Sequence, residues 1–302
     1  MVISAWAGSD NKSVDDVINS VRAAADAGFR AVWLPQTLTV DALTALALAA
    51  QVVPGIRVGT AVVPIQGRHP IPLAMHALTV AQAAGPGRVT LGIGVSHPAG
   101  SEGWYAIPYR EVVDLCREEL EALAGLLGPE RRADQTGSYF TARVELSLAG
   151  PAPSLVVAAL GPRMLELAGR LTDGTVTWMT GPTTLARRIV PAIREAAARA
   201  GRAEPRVIAG LPVCVTADPA RAREAIRPRI EASAQRPSYR RQLALEGLVD
   251  PADLAVIGDR DTVASQVLAL ADLGVTELMA EMFGTPDERA ETAAVLTGLT
   301  EA

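Results

Sequence analysis

Apolar residues along this chain fall in short continuous runs separated by longer segments in which they recur every three or four positions, the pattern of buried strands alternating with amphipathic helices. The runs predict strands at 2–6, 31–34, 57–63, 89–93, 155–159, 174–179, 207–215 and 277–282. Helical spacing predicts helices at 41–53, 72–84, 109–127, 162–171, 183–200 and 286–296, with another from Asp259 to 273. An earlier helix starts behind Ser13, an N-cap with Asp16 three positions on, and closes at Gly28. Residues 8–11 read as a loop, and 219–246 as a long helical region broken by Pro228 and Pro237. The alternation lapses only at about 128–153, where 136–148 suggests a hairpin inserted after the fourth helix.

Eight strand signals mostly alternating with helices predict an α/β protein, a (β/α)8 TIM-like barrel forming a single domain over 1–302 with that insertion. A doubly wound sheet would place a GxGxxG loop after its first strand, and Trp6-Ala-Gly-Ser-Asp-Asn11 has none.

Composition narrows the chemistry. Of the 302 residues 49% are hydrophobic but only 4% aromatic, so Ala, Val, Leu and Ile must build the core. A net charge of −5 and the lack of a basic stripe argue against nucleic acid as a partner. Cys116 and Cys214 lie in helical and strand patterns with no metal-ligand spacing, as expected of a reduced, cytoplasmic protein, and the apolar stretch 42–53 is too short to span a membrane.

In a barrel of this kind chemistry gathers at the carboxyl ends of the strands. The residues there, among them Trp6, Gln36, 60–64, 94–97, 159–164, 178–181 and 281–283, include no pair of carboxylates, no histidine pair and no lysine, since Lys12 is the chain's one lysine. Metal-dependent hydrolysis, glycoside hydrolysis and Schiff-base chemistry are therefore disfavoured. Such a mouth suits a flat organic cofactor that brings its own reactivity.

His97 follows a strand end, where its ring can donate to a ligand or move a proton. Ala158-Ala-Leu-Gly-Pro-Arg-Met164 sets Gly161 and Pro162 at a helix start whose free N–H groups can hold an anion, with Arg163 adding charge. Gly181-Pro182-Thr183-Thr184 offers the same geometry one unit later, and Gly-Pro also opens helices that bind nothing. Trp178 suits either a ligand wall or core packing. His69 lies farther from its strand, His76 sits inside a helix, and Trp104 with Tyr105 form an aromatic pair in the loop expected at 99–108.

Taken together, Ala27-Gly-Phe-Arg-Ala-Val-Trp33, Arg57-Val-Gly-Thr-Ala-Val62, Gly87-Arg-Val-Thr-Leu-Gly-Ile-Gly94, Tyr139-Phe140 followed by Pro151-Ala-Pro153, residues 158–164 and Leu171-Thr-Asp-Gly174 resemble the luciferase-like monooxygenase superfamily and, within it, its coenzyme F420-dependent oxidoreductases. The resemblance implies a TIM-like barrel carrying a deazaflavin at its mouth, hydride transfer at the deazaflavin C5 to or from a small organic substrate, and pairing as a homodimer. It implies a non-prolyl cis peptide within Thr60-Ala61-Val62 backing the ring, with Gly94, Val95 and His97 bordering it and Trp178 nearby. Ala159, Gly161, Pro162, Arg163 and Met164 would hold the phosphate. Where several relatives carry a polar pair after strand two, this chain has Pro35-Gln36-Thr37, and Gln36 can hydrogen-bond but cannot act as an acid. His97 is then the expected proton donor, with Glu102 behind it. An FMN-dependent monooxygenase and a non-catalytic deazaflavin- or flavin-binding protein are the alternatives.

Overall fold

The computed structural model describes residues 1–8 and 10–299; Ser9, within the loop expected at 8–11, and residues 300–302 lie outside the described residues. Its strands are β1 (Val2–Trp6), β2 (Ala31–Leu34), β3 (Arg57–Thr60), β4 (Val63–Pro64), β5 (Val89–Gly94), β6 (Arg132–Thr136), β7 (Thr141–Glu145), β8 (Ser154–Ala158), β9 (Gly174–Trp178), β10 (Arg206–Val215), β11 (Val256–Gly258) and β12 (Glu277–Met282). β1, β2, β3, β5, β8, β9, β10 and β12 pair in parallel in that order and β12 returns to β1, so the sheet closes as the expected (β/α)8 barrel. The excursion after the fourth predicted helix is a hairpin of antiparallel β6 and β7. β11, too short to register as an apolar run, extends the sheet beside β10.

Local chemistry sets the helix ends. Ser13 and Asp16 form both arms of a capping box at the head of Val14–Asp26, and Thr285 and Glu288 do the same for Pro286–Gly298. Pro237 opens a helix at its first turn, as expected. Pro228, expected to break the preceding helix, lies inside the continuous helix Pro219–Ala234. One missing backbone hydrogen bond is offset there by burial of Ile226 and Ile230 in a separate apolar cluster with Phe283 and Leu243.

Two further expectations need correction. The run 57–63 is two strands. β3 pairs with the first half of β5 (Val58 with Val89, Gly59 with Thr90), and β4 with the second half (Val63 with Ile93, Pro64 with Gly94). The β3 side spends one residue more than β5 over this span, a bulge that lifts Ala61 and Val62 out of the ladder. Thr60 closes the gap: its Oγ1 donates to Gly92 O (2.8 Å) and accepts from Gly92 N (2.9 Å). The crossing is so close that a Cβ on Gly92 would stand 1.9 Å from Thr60 O. The loop expected at 99–108 is mostly a helix, Pro98–Tyr105, which Pro98 starts in its first turn.

The main core lies between barrel and helices, and a smaller cluster of Trp33, Val156, Val176, Ile208 and Met279 fills the barrel itself. Below it sits a buried polar plug. Trp33 Nε1 donates to Glu277 Oε1 (2.7 Å), Arg206 Nη2 pairs with Glu277 Oε2 (2.8 Å), and Arg206 Nη1 reaches Thr90 Oγ1 (3.1 Å). Arg206 also lies over the Trp33 ring, 5.9 Å from its centre. A second buried carboxylate is handled differently. Glu119, in the helix Val112–Leu127, is fully buried with no hydrogen bond to either oxygen, and burial pushes its pKa up to about 8. Among the described residues no helix is long and apolar enough to cross a membrane.

Glu277→Ala strands the buried Trp33 N–H and unpairs the half-buried Arg206, and we expect it to lower unfolding free energy by about 1–3 kcal/mol in urea titrations, the range for leaving a buried polar group unpaired. The folded state holds a proton on Glu119 that the unfolded chain has released once pH passes its ordinary value of 4.5, so stability falls as pH rises from there to about 8. Glu119→Gln removes the titrating group, and its stability relative to the wild type is expected to rise as pH climbs from 4.5 to about 8; a difference that stays constant across that window would contradict the assignment.

Candidate active site

At the carboxyl end of the barrel the strands surround a cavity of about 480 Å3, within the usual range for small-molecule sites. Trp6 comes from β1, Gln36 from the turn after β2, Ala61 and Val62 from the bulge, Gly94 to His97 from the end of β5, Ala158 and Leu160 from β8, Trp178 from β9, and Met279 and Glu281 from β12. Three helices complete the wall with Trp104, with Arg229, Ile230 and Ser233, and with Tyr239, while Arg236 joins it from the N-cap of the last. The walls are mainly apolar and aromatic, with Trp6 and Trp178 edge to face at 4.3 Å.

Of the residues singled out from sequence, Gln36, Ala61, Val62, Gly94, Val95, His97 and Trp178 share this cavity. The Ala61–Val62 peptide is cis, inside the stretch where such a bond is expected. Gly94 meets it closely, since a Cβ there would stand 2.9 Å from Val62 Cγ2 and 3.1 Å from Ala158 Cβ. Thr60 is buried one residue below, engaged with Gly92. Gln36 lines the cavity, but its amide is committed: Oε1 accepts from Ala42 N (2.8 Å) and Nε2 donates to Thr37 O (2.9 Å), bracing the turn into the helix Ala42–Val52.

His97 sits at the head of Pro98–Tyr105 with its ring 6.4 Å from that of Tyr239. Burial, reinforced by Arg236, pushes its pKa down to about 4, so at neutral pH it is a neutral imidazole with no proton of an imidazolium to give. Glu102 accepts from Tyr109 N (3.0 Å) and does not line the cavity. His69 caps Pro70–Ala84 through Nδ1, and His76 lies near Thr44 and Asp41, so both serve the helical shell.

The two Gly-Pro helix starts differ. At 181–184 the N–H groups of Thr183 and Thr184 already donate to Glu246 (3.1 and 2.6 Å), a carboxylate delivered by the helix Pro237–Glu246. At 161–164 no side chain caps Pro162–Leu171, and a Cβ on Gly161 would meet nothing within 4 Å. That start adjoins Leu160 on the cavity rim, and it keeps the free N–H groups and helix dipole that suit an anion. Ala159 and Met164 turn into the core, while Arg163 is exposed beside Asp114 (3.5 Å).

Sequence reasoning missed Glu281, Arg229, Arg236 and Tyr239. Glu281 stood among the strand-end residues without being picked, for want of a second carboxylate. The other three come from 219–246, whose return over the mouth leaves no local signal.

Residues 1–277 match the family described as luciferase-like monooxygenase. The chain belongs to this family. A protein of Mycobacterium tuberculosis named as a coenzyme F420-dependent oxidoreductase is 34% identical over 51% of the chain and 48% of its own length. The F420-dependent glucose-6-phosphate dehydrogenase of Beutenbergia cavernae is 33% identical over 62% of the chain and 57% of its own length. The chain thus spans about half the length of the curated relatives it matches. Among solved structures, an F420-dependent secondary alcohol dehydrogenase in complex with an F420-acetone adduct superposes with a TM-score of 0.84, covering 99% of this chain and 97% of that one at 18% identity. That likeness shows a shared barrel fold.

The neutral imidazole is directly measurable. In proton NMR titration, the His97 ring of this luciferase-like barrel is expected to stay neutral between about pH 6 and 8 and to protonate with a midpoint of about 4. A midpoint near the ordinary value of 6.5 would show that the cavity does not desolvate it.

Proposed function

We propose that this chain is a coenzyme F420-dependent oxidoreductase that moves a hydride between the deazaflavin C5 and a small organic carbonyl or alcohol. The observation that carries the reading is the juxtaposition of an aromatic-walled, low-charge cavity with an uncapped helix N-terminus on its rim, a flat seat beside an anion seat. The dehydrogenase and oxidoreductase names of the curated relatives support it.

In this reading Ala61 and Val62 back the ring, Gly94 and Val95 border it, and Trp178 closes its side. The backbone at Gly161 to Met164, Pro162 lacking an N–H, receives the phosphate, with Arg163 adding charge from solvent and Ala159 seating the turn. Bound F420 would supply the hydride. The chain's own share is to exclude water with Trp6, Trp104 and Trp178, to hold the substrate against the ring, and to handle the accompanying proton. A homodimer belongs to the same reading, supported by the exposed Leu48 and Val52 on Ala42–Val52 and Met75 on the adjoining Pro70–Ala84.

Titration with each cofactor tests it. Saturable F420 binding at least about ten-fold tighter than FMN, a difference of about 1.4 kcal/mol, is expected by absorbance or fluorescence. Tight FMN binding without F420 binding would favour an FMN-dependent monooxygenase instead. F420 binding with no turnover across a broad panel of ketones and alcohols would point to a carrier protein.

A further inference from the structure

β12 carries two buried glutamates, one at each end, and they have opposite fates. Glu277 at the closed end has both carboxylate oxygens occupied, by Trp33 Nε1 and by Arg206 Nη2. Glu281 at the open end is equally buried, at 4% exposure, yet among the described residues its Oε2 has no partner. Arg229 Nε holds Oε1 at 2.6 Å as an ion pair, and its guanidinium lies over the Trp6 ring, 5.5 Å from the centre. Glu119 is also buried without a hydrogen bond, but it lies in the helix Val112–Leu127 and lines no part of the cavity. Glu281 faces the cavity, and among the described residues it is the one carboxylate on that wall.

We propose that Glu281 is the catalytic acid–base of this site, exchanging with the substrate oxygen the proton that accompanies each hydride. The inference rests on the oxidoreductase reading above. Bound F420 would supply or accept the hydride at the substrate carbon, two electrons passing between cofactor and substrate. In reduction, as the C=O π pair moves onto oxygen, that oxygen takes the Glu281 proton: the carboxyl O–H bond breaks as the alcohol O–H forms, leaving a carboxylate against Arg229. In oxidation, the carboxylate takes the hydroxyl proton as the hydride leaves the carbon. Solvent at the mouth resets the carboxyl.

The surroundings support both halves of this cycle. Burial raises the Glu281 pKa to about 7, Arg229 from the helix Pro219–Ala234 opposes that rise, and Asp10 from the loop after β1 adds to it. The cavity's remaining titratable or charged groups are His97, Arg236 and Tyr239. His97 is neutral at working pH, and burial pushes the Tyr239 pKa up. A carboxyl poised near neutrality both gives and takes a proton, as acid–base catalysis requires.

Glu281→Gln and Glu281→Asp test the assignment in the full chain. In a Glu119→Gln background, which removes the other buried carboxyl that holds its proton near neutrality, infrared difference spectroscopy without cofactor should show a protonated-carboxyl band titrating near pH 7 that is missing once Glu281→Gln is added. F420 binding should be unchanged in both variants. With reduced F420 and whichever ketone of a small panel the wild type turns over, Glu281→Gln should lose about 10²- to 10⁴-fold in kcat together with the near-neutral limb of the pH profile, and Glu281→Asp should retain that limb at reduced rate. A band that persists when Glu281→Gln is added to the Glu119→Gln background, or a Glu281→Gln variant that keeps wild-type kcat and pH profile, would overturn the inference. Failure of the wild type to bind F420 would instead sink the oxidoreductase reading, and the infrared measurement would still report on the carboxyl.

Discussion

A buried carboxylate at the closed end of the barrel constrains everything above it. Desolvating Glu277 costs several kcal/mol unless its lone pairs are met, and they are met only when β2 brings Trp33, β10 brings Arg206 and β12 brings Glu277 to one level. Arg206 extends the tie to Thr90 on β5 and weakly to Ser154 on β8. A one-residue slip in any of these strands would turn its side chain to the other face and leave a charge or an N–H unpaired in the core. Register fixed at the floor is carried up each strand, so it also decides which residues meet at the mouth.

The two ends divide polar satisfaction between them. At the floor the charges and hydrogen bonds are closed on one another. At the mouth Trp6 Nε1 and Glu281 Oε2 are buried without partners among the described residues. Unmet polar atoms are costly in a site that stays empty and useful in one that receives a polar ligand. The bulge between β3 and β4 makes room by the same logic, removing two residues from the ladder so that they form a wall, while Thr60 supplies a side-chain replacement for the lost backbone pairing.

Much of this was legible in the sequence. Continuous apolar runs set between period-3.6 segments placed the eight barrel strands, because strands buried on both faces are written as such runs; their ends, together with the family resemblance, then pointed to Gln36, Ala61, Val62, Gly94, Val95, His97 and Trp178. What stayed hidden depends on long-range placement. The split at 61–62 is a matter of register against β5, which no local pattern encodes. The segment 219–246 reads as a helical region broken by Pro228 and Pro237, and only its return over the barrel puts Arg229 beside Glu281. His97 shows how far residue type can stand from chemical state: a histidine at a strand end suggests an acid, and burial beside Arg236 leaves it neutral.

The two Gly-Pro helix starts look interchangeable along the chain, and Glu246 makes them unequal. By lodging its carboxylate on the Thr183 and Thr184 N–H groups, it supplies from within the anion that one start would otherwise accept, and leaves the start at Gly161 uncapped. An elongated ligand with a single anionic end then has one way to lie along the mouth. A ligand that lies one way shows one face to whatever reacts with it, so on the proposed reading the handedness of the product begins with a carboxylate that plugs the wrong seat.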